Sequence, residues 1–265
     1  MANRLPRYRR SETPPNIRNF VAYIPLLKMI SDFHYMNTPQ IVALAETCKT
    51  NTYDKLQKLY HNGLVERLYY PQFGDTFPTL IYALTRKGAD ILRDLEPEKY
   101  NDVYYPRDPR SYIFVKHELM ISNIRAVLLR GLREKSNGEV TAWAVDQAII
   151  DLFPKLKNHR LIPDGYFAVK TKKGTVHYFI EADRGTMTVS RFNDKITRYR
   201  LFFRKNRKEL PARFRVLTVT PTPPRTTNLR KIALDNKEDK ASRFVFCDET
   251  QFSLESPLAL LRYII

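Results

Sequence analysis

The sequence predicts an α/β protein in two parts, a small helical domain carrying a β-hairpin and a larger αβββαβ domain built on a mixed sheet. Three observations predict it. Helical apolar spacing gives way to short strand-like runs twice along the chain. A stretch of prolines, tyrosines and charges separates the two series. The 265 residues, 43% hydrophobic and 12% aromatic, suffice for a core in each part. The formal net charge of +17, from 45 Lys and Arg against 28 Asp and Glu, points to a polyanionic partner, nucleic acid before a membrane surface.

The same composition excludes other classes. No stretch approaches the roughly 18 to 20 continuous apolar residues of a spanning helix. MANRLPRYRRSETPPN has no apolar run behind its arginines, so a secretory leader is not expected and the cytoplasm is the expected compartment. Cys48 and Cys247 are far apart in sequence, and His34, His61, His117, His159 and His177 are scattered. A disulfide framework, structural zinc and an imidazole metal site are therefore disfavoured.

Residues 1–18 hold five Arg, one Glu and three Pro without a period, which predicts a flexible basic arm. A domain over 19–98 follows. Ile24, Leu27, Ile30 and Phe33 recur at helical spacing, with Pro25 near the helix start. In TPQIVALAETC, Thr38 is the expected N-cap, Pro39 the first helical residue, and Ile41, Leu44 and Ala45 the buried face. After the turn CKTN, a third helix through TYDKLQKLYHNG buries Leu56, Leu59 and Tyr60 and closes at Gly63. LVERLYY and TLIYALT then read as strands around PQFGDTFP, and TRKGADILRDL as a helix.

This order is that of a winged helix-turn-helix. Asn51, Thr52, Tyr53, Lys55 and Lys58 fall at the start and outer face of its recognition helix, where side chains reach base edges and phosphates, and Arg67 with the loop 71–78 forms the wing. Double-stranded DNA is the expected partner. A solvated polar face is the bland alternative, because winged helices also bind proteins.

A linker is expected over 99–112 and a second domain over 113–265. FVKHELMISNIRAVLLRGLRE is amphipathic through Leu119, Ile124, Val127 and Leu128. Strands follow at EVTAWAVDQ, LIPDGYFAVK and TVHYFIEAD. A helix from Thr188 to Lys208, a strand FRVLTVT, a helix TTNLRKIALDN and a strand RFVFCD complete the series.

The chemistry sits at two strand ends. If TKKG turns a hairpin, Lys170 pairs with Thr175, and following that register back along both strands sets Asp164 opposite Glu181. Opposed residues share a face with Cβ atoms about 4.5 to 5.5 Å apart, so two carboxylates there repel unless a cation bridges them. Hard oxygen ligands suit Mg²⁺ or Mn²⁺, which would make phosphodiester hydrolysis accessible. A strand-end salt bridge or turn carboxylate is the plain alternative for each acid alone. On the next helix Val189, Phe192, Ile196, Tyr199 and Phe203 form the expected buried stripe. Lys195 borders it and can reach back to the acids, and Arg191 and Arg198 stand among its phosphate-facing cations. Core packing is the expected role of Tyr199, although a tyrosine can also cut DNA as a nucleophile.

At Pro163-Asp164 and Glu181-Ala-Asp183, on an αβββαβ core, the chain resembles the PD-(D/E)xK nuclease superfamily. With the preceding winged helix, RLIPDGYF, YFIEADRGT and NDKITRY resemble the replication-relaxation family of bacterial plasmids and other mobile elements, over about residues 20–220. The resemblance implies a PD-(D/E)xK-like domain in which Asp164 and Glu181 hold the metal with the Ala182 carbonyl. Asp183 stands where the superfamily usually has lysine, as a supporting or alternative ligand, so Lys195 is the candidate migrated lysine, and Glu118 matches an acidic position on the domain's first helix. It also implies a bacterial, cytoplasmic DNA endonuclease or nickase in replication or mobilisation, with other replication or mobilisation proteins of the element as partners. A homodimer is the natural assembly for a double-strand cut. The competing reading is a non-catalytic replication-initiation or regulatory factor with a nuclease-like scaffold. An RNA-binding adaptor is disfavoured, because a winged helix suits a duplex major groove better than that of A-form RNA.

Overall fold

The computed structural model describes residues 7–70, 79–108, 110–135, 138–234 and 243–265. The chain divides into two compact units, 1–126 and 127–265.

In the first unit, α1 (Ile24–Phe33), α2 (Thr38–Leu44) and α3 (Lys49–His61) precede β2 (Val65–Leu68) and β3 (Ile81–Leu84), which α4 (Arg86–Leu95) and the short α5 (Pro97–Tyr100) follow. A two-residue strand, β1 (Met36–Asn37), pairs with β3, so the antiparallel sheet runs β1-β3-β2. β1 was not expected, because two residues carry no period. The cap of α2 is Asn37 rather than Thr38. Its side chain accepts the Gln40 N–H at 3.0 Å while the Gln40 side chain accepts the Asn37 N–H at 2.9 Å, and Thr38 turns to the Leu80 carbonyl. Ala45, expected on the buried face, follows the helix as its half-buried C-cap. α3 starts at Lys49, inside the expected turn, and Gly63 with φ +71° ends it as expected. The loop 71–78 lies outside the described residues.

The arm departs from expectation. Residues 7–15, expected to be flexible, are tied to α3 and β2 by side-chain and backbone hydrogen bonds. The division between units also falls inside the long helix α6 (Tyr112–Lys135) rather than at 99–112. Val115 joins Tyr35, Ile81 and Ala83 in a buried cluster, and the Ser122 hydroxyl donates to the Phe33 carbonyl at 3.1 Å, so the first half of α6 completes the first unit.

The second unit is a five-stranded mixed sheet ordered β4-β5-β6-β7-β8, from β4 (Gly138–Ala144), β5 (Gly165–Thr171), β6 (Gly174–Ala182), β7 (Phe214–Thr220) and β8 (Phe244–Asp248). β4, β5 and β6 are antiparallel, and β7 and β8 continue parallel to β6. The parallel pairs need crossovers, which α8 (Val189–Lys205) and α9 (Pro223–Leu234) supply. Thr188 caps α8, its hydroxyl accepting the Arg191 N–H at 3.3 Å. α8 stops short of Lys208, and Val189 is exposed at its solvent-facing start rather than in the stripe. Phe192, Ile196, Tyr199, Phe202 and Phe203 pack with Phe179, Phe214 and Val216 into the core on that face. Four short pieces were not expected: α7 (Gln147–Leu152), 3₁₀ turns at Pro154–His159 and Glu249–Gln251, and α10 (Leu258–Ile264).

Candidate functional site

The hairpin register brings the acids together. Lys170 pairs with Thr175 and Gly165 with Ile180, and the Asp164 N–H donates to the Ile180 carbonyl at 3.0 Å, one step beyond β5. The turn is tighter than expected, since Thr171 already pairs with Gly174. Gly174 has φ +101°, which a side chain would disfavour. At the far end of the hairpin, the Asp164 Oδ2 accepts the Ala182 N–H at 2.7 Å, so this carboxylate straps the end of β6.

Glu181 is 4% exposed and receives two donors: the Lys195 ammonium on Oε2 and the Tyr199 hydroxyl on Oε1. Both come from α8, one turn apart, which is how a helix crossing behind the sheet sends two side chains to one point. Burial pushes the Glu181 carboxyl up to about 7. The Asp164 charge adds to this, while Lys195 and the Tyr199 hydrogen bond oppose it. Burial pulls Lys195 down, but the charges of Glu181, Asp164 and Asp183 outweigh it and hold the ammonium above its ordinary range. Tyr199 is held well above its ordinary range by burial and by the Glu181 charge.

Asp183 turns to another partner. Arg225, on α9, donates to its Oδ2 at 2.6 Å and to the Met187 carbonyl at 2.6 Å, while the Gly185 N–H reaches Oδ1 at 3.1 Å. Asp183 therefore organises the connection from β6 to α8. Glu118 belongs to the first unit, where it faces His117 Nδ1 at 3.4 Å and His34 Nδ1 at 4.0 Å.

Thr218 on β7 is the ladder partner of Glu181, and its buried hydroxyl has no hydrogen-bond partner among the described residues. Beside the Lys195 ammonium, the groups that meet Glu181 or share its register, Tyr199 and Thr218, offer oxygen, which suits a hard cation or a water. No three His, Cys, Asp or Glu side chains gather as a metal site among the described residues. Mg²⁺ needs no more than one or two carboxylates when waters and phosphate oxygens complete its shell.

A family model described as Replication-relaxation matches residues 27–216, well over half of the chain and the span that carries Asp164, Glu181 and Lys195. The chain belongs to the replication-relaxation family. No curated protein and no solved structure matches it. The family span ends before Arg225, so the Asp183 clamp uses a residue outside it.

In this replication-relaxation protein the cationic surfaces divide unevenly. Asn51 and Tyr53 are exposed at the start of α3, with the Lys49 ammonium 5.9 Å from the Tyr53 ring centroid. Thr52, expected on the same face, is fully buried and its hydroxyl donates to the Cys48 carbonyl at 3.1 Å, because helical period turns it to the core. Lys55 donates to the Ala22 carbonyl at 2.8 Å, and Lys58 pairs with Asp54 at 2.8 Å. Arg67 lies with its guanidinium 4.2 Å from the Tyr60 ring centroid and donates to the Arg7 carbonyl at 2.8 Å. On α8, Arg191 and Arg198 are exposed, and Arg198 reaches the Arg160 carbonyl at 3.2 Å. No helix among the described residues is long and apolar enough to cross a membrane.

Proposed function

We propose that this chain is a DNA-binding protein of a mobile element, acting in its replication or mobilisation through an N-terminal winged helix and a PD-(D/E)xK-like second unit that cuts or nicks DNA with Mg²⁺. The observation that carries the proposal is the convergence on Glu181 of Asp164 from the hairpin and Lys195 from α8. Asp164 and Glu181 would hold the cation with the Ala182 carbonyl, beside the Thr218 hydroxyl, which has no partner among the described residues. When bound, Mg²⁺ supplies positive charge at the phosphoryl oxygen and a more acidic water. Lys195 holds a positive charge beside the scissile phosphate, where negative charge grows as the bond breaks. Tyr199 orients Glu181, and the exposed cations of α8 take the flanking phosphates.

One observation favours a second reading. Both Glu181 oxygens already have internal donors, so Lys195 itself neutralises the acids and the cluster is satisfied as a structural element. In that case the second unit is a scaffold for a replication-initiation or regulatory factor. Incubating supercoiled plasmid with Mg²⁺, Mn²⁺ or EDTA tests the two. Nicking or linearisation with metal, abolished by the Asp164→Ala/Glu181→Ala pair, is expected. Equal DNA retention by both proteins without cleavage in any metal favours the scaffold.

A further inference from the structure

Residues 7–15 of the basic arm are built into the first unit. The Arg10 guanidinium donates to the Tyr60 carbonyl at 3.1 Å and pairs with Glu66 at 2.8 Å. The Ser11 N–H donates to His61 Nδ1 at 3.0 Å, and the Asn62 amide donates to the Pro15 carbonyl at 2.9 Å. Arg67 holds the Arg7 carbonyl, and the Tyr8 and Tyr69 rings meet with centroids 4.6 Å apart. His61 can accept that N–H only as the neutral imidazole. Its burial and the nearby charges of Arg67 and Arg10 lower its pKa and favour that form. Arg10 and Arg67 therefore serve as anchors, whereas Arg7 and Arg9 stand exposed and make no ion pair among the described residues.

We propose that the docked arm is a second DNA-contacting element, in which Arg7 and Arg9, held beside β2 where the chain enters the hairpin loop, take backbone phosphates of duplex DNA. It rests on the DNA-binding reading and extends it to residues outside the helix-turn-helix and outside the family span. A polyanion fits this surface because the Arg7 and Arg9 guanidiniums make no ion pair among the described residues while the backbone of residues 7–15 is already docked, so its entropy is not lost again on binding. Arg67, expected to touch DNA itself, becomes the residue that positions those that do.

Titration of the full chain with a labelled random-sequence duplex across a salt series tests it. Arg7→Ala/Arg9→Ala should reduce the slope of log affinity against log salt by about 2, one per lost phosphate contact, and weaken binding on the order of tenfold. Ser11→Pro/Asn62→Ala leaves the charge unchanged but removes two docking donors. It should weaken binding severalfold with little change in slope. Faster trypsin cutting after Arg9 in this second variant, with the remainder of the chain still resistant, distinguishes an undocked arm from a misfolded protein. A wild-type chain that does not bind the duplex overturns both readings. Wild-type binding that either variant retains in full overturns this one alone.

Discussion

At the scale of single residues, Glu181 decides the character of the second unit. A carboxylate at a buried strand end beside another acid is unfavourable until something cationic joins it, and Lys195 does so from α8. Replacing Lys195 with methionine should leave Glu181, beside Asp164, without its ammonium partner and cost about 3–5 kcal/mol, less whatever Glu181 recovers by taking up a proton. Urea denaturation with EDTA present measures it. A Lys195→Met/Glu181→Met pair should recover most of the loss, and an unaltered midpoint in the single variant would mean that the ion pair is not holding the fold. The opposition of Asp164 and Glu181 was legible because a hairpin register follows from strand period once its turn is placed. Lys195 was legible from its place beside an apolar stripe. Tyr199 was legible only as core, since a buried helical tyrosine gives no sign of where its hydroxyl goes. Thr218 and Arg225 were missed because they meet β6 across parallel crossovers, whose register no local pattern encodes.

At the scale of elements, the approach of α4 to the start of β2 sets the first unit. A Cβ on Gly88 would lie 2.1 Å from the Leu64 carbonyl oxygen, against backbone that cannot yield as a side chain can. The neighbouring bonds fix that closeness: Thr85 donates to the Gly63 carbonyl at 2.7 Å and accepts the Gly88 N–H at 3.1 Å. Gly88→Ala should therefore destabilise by about 1–3 kcal/mol through overpacking, despite the better helix propensity of alanine. A rise in the urea midpoint would show that α4 moves away freely. Helix positions in this unit were legible because α1, α3 and α4 each give several apolar repeats, and the β2-β3 hairpin was legible from its two short runs, whereas β1 was not. The ends were less so. Asn37 and Thr38 are both good caps, and only the reciprocal bond with Gln40 separates them. α7 and α10, with six and seven residues, are too short for a 3.6 period to declare itself.

At the scale of the whole molecule, the chain carries a net charge of +17 while the proposed cutting site is acidic, so on the proposed reading affinity for DNA and cleavage of DNA should be separable. Asp164→Asn changes a group that straps β6 through the Ala182 N–H, a bond that an asparagine oxygen can still accept. The variant should thus fold, bind a duplex at least as tightly as the wild type, and lose cleavage. Its charge change, if felt at all, favours the phosphates. Both proteins should show the steep salt dependence of a phosphate-dominated interface. For roughly six to ten phosphate contacts, affinity falls about 10³–10⁵-fold between about 50 and 200 mM salt. Parallel titrations of the two proteins in EDTA check this. Weaker binding by Asp164→Asn, with its melting curve unchanged, would place the carboxylate in DNA recognition itself and remove the separation between gripping and cutting on which the nuclease reading depends.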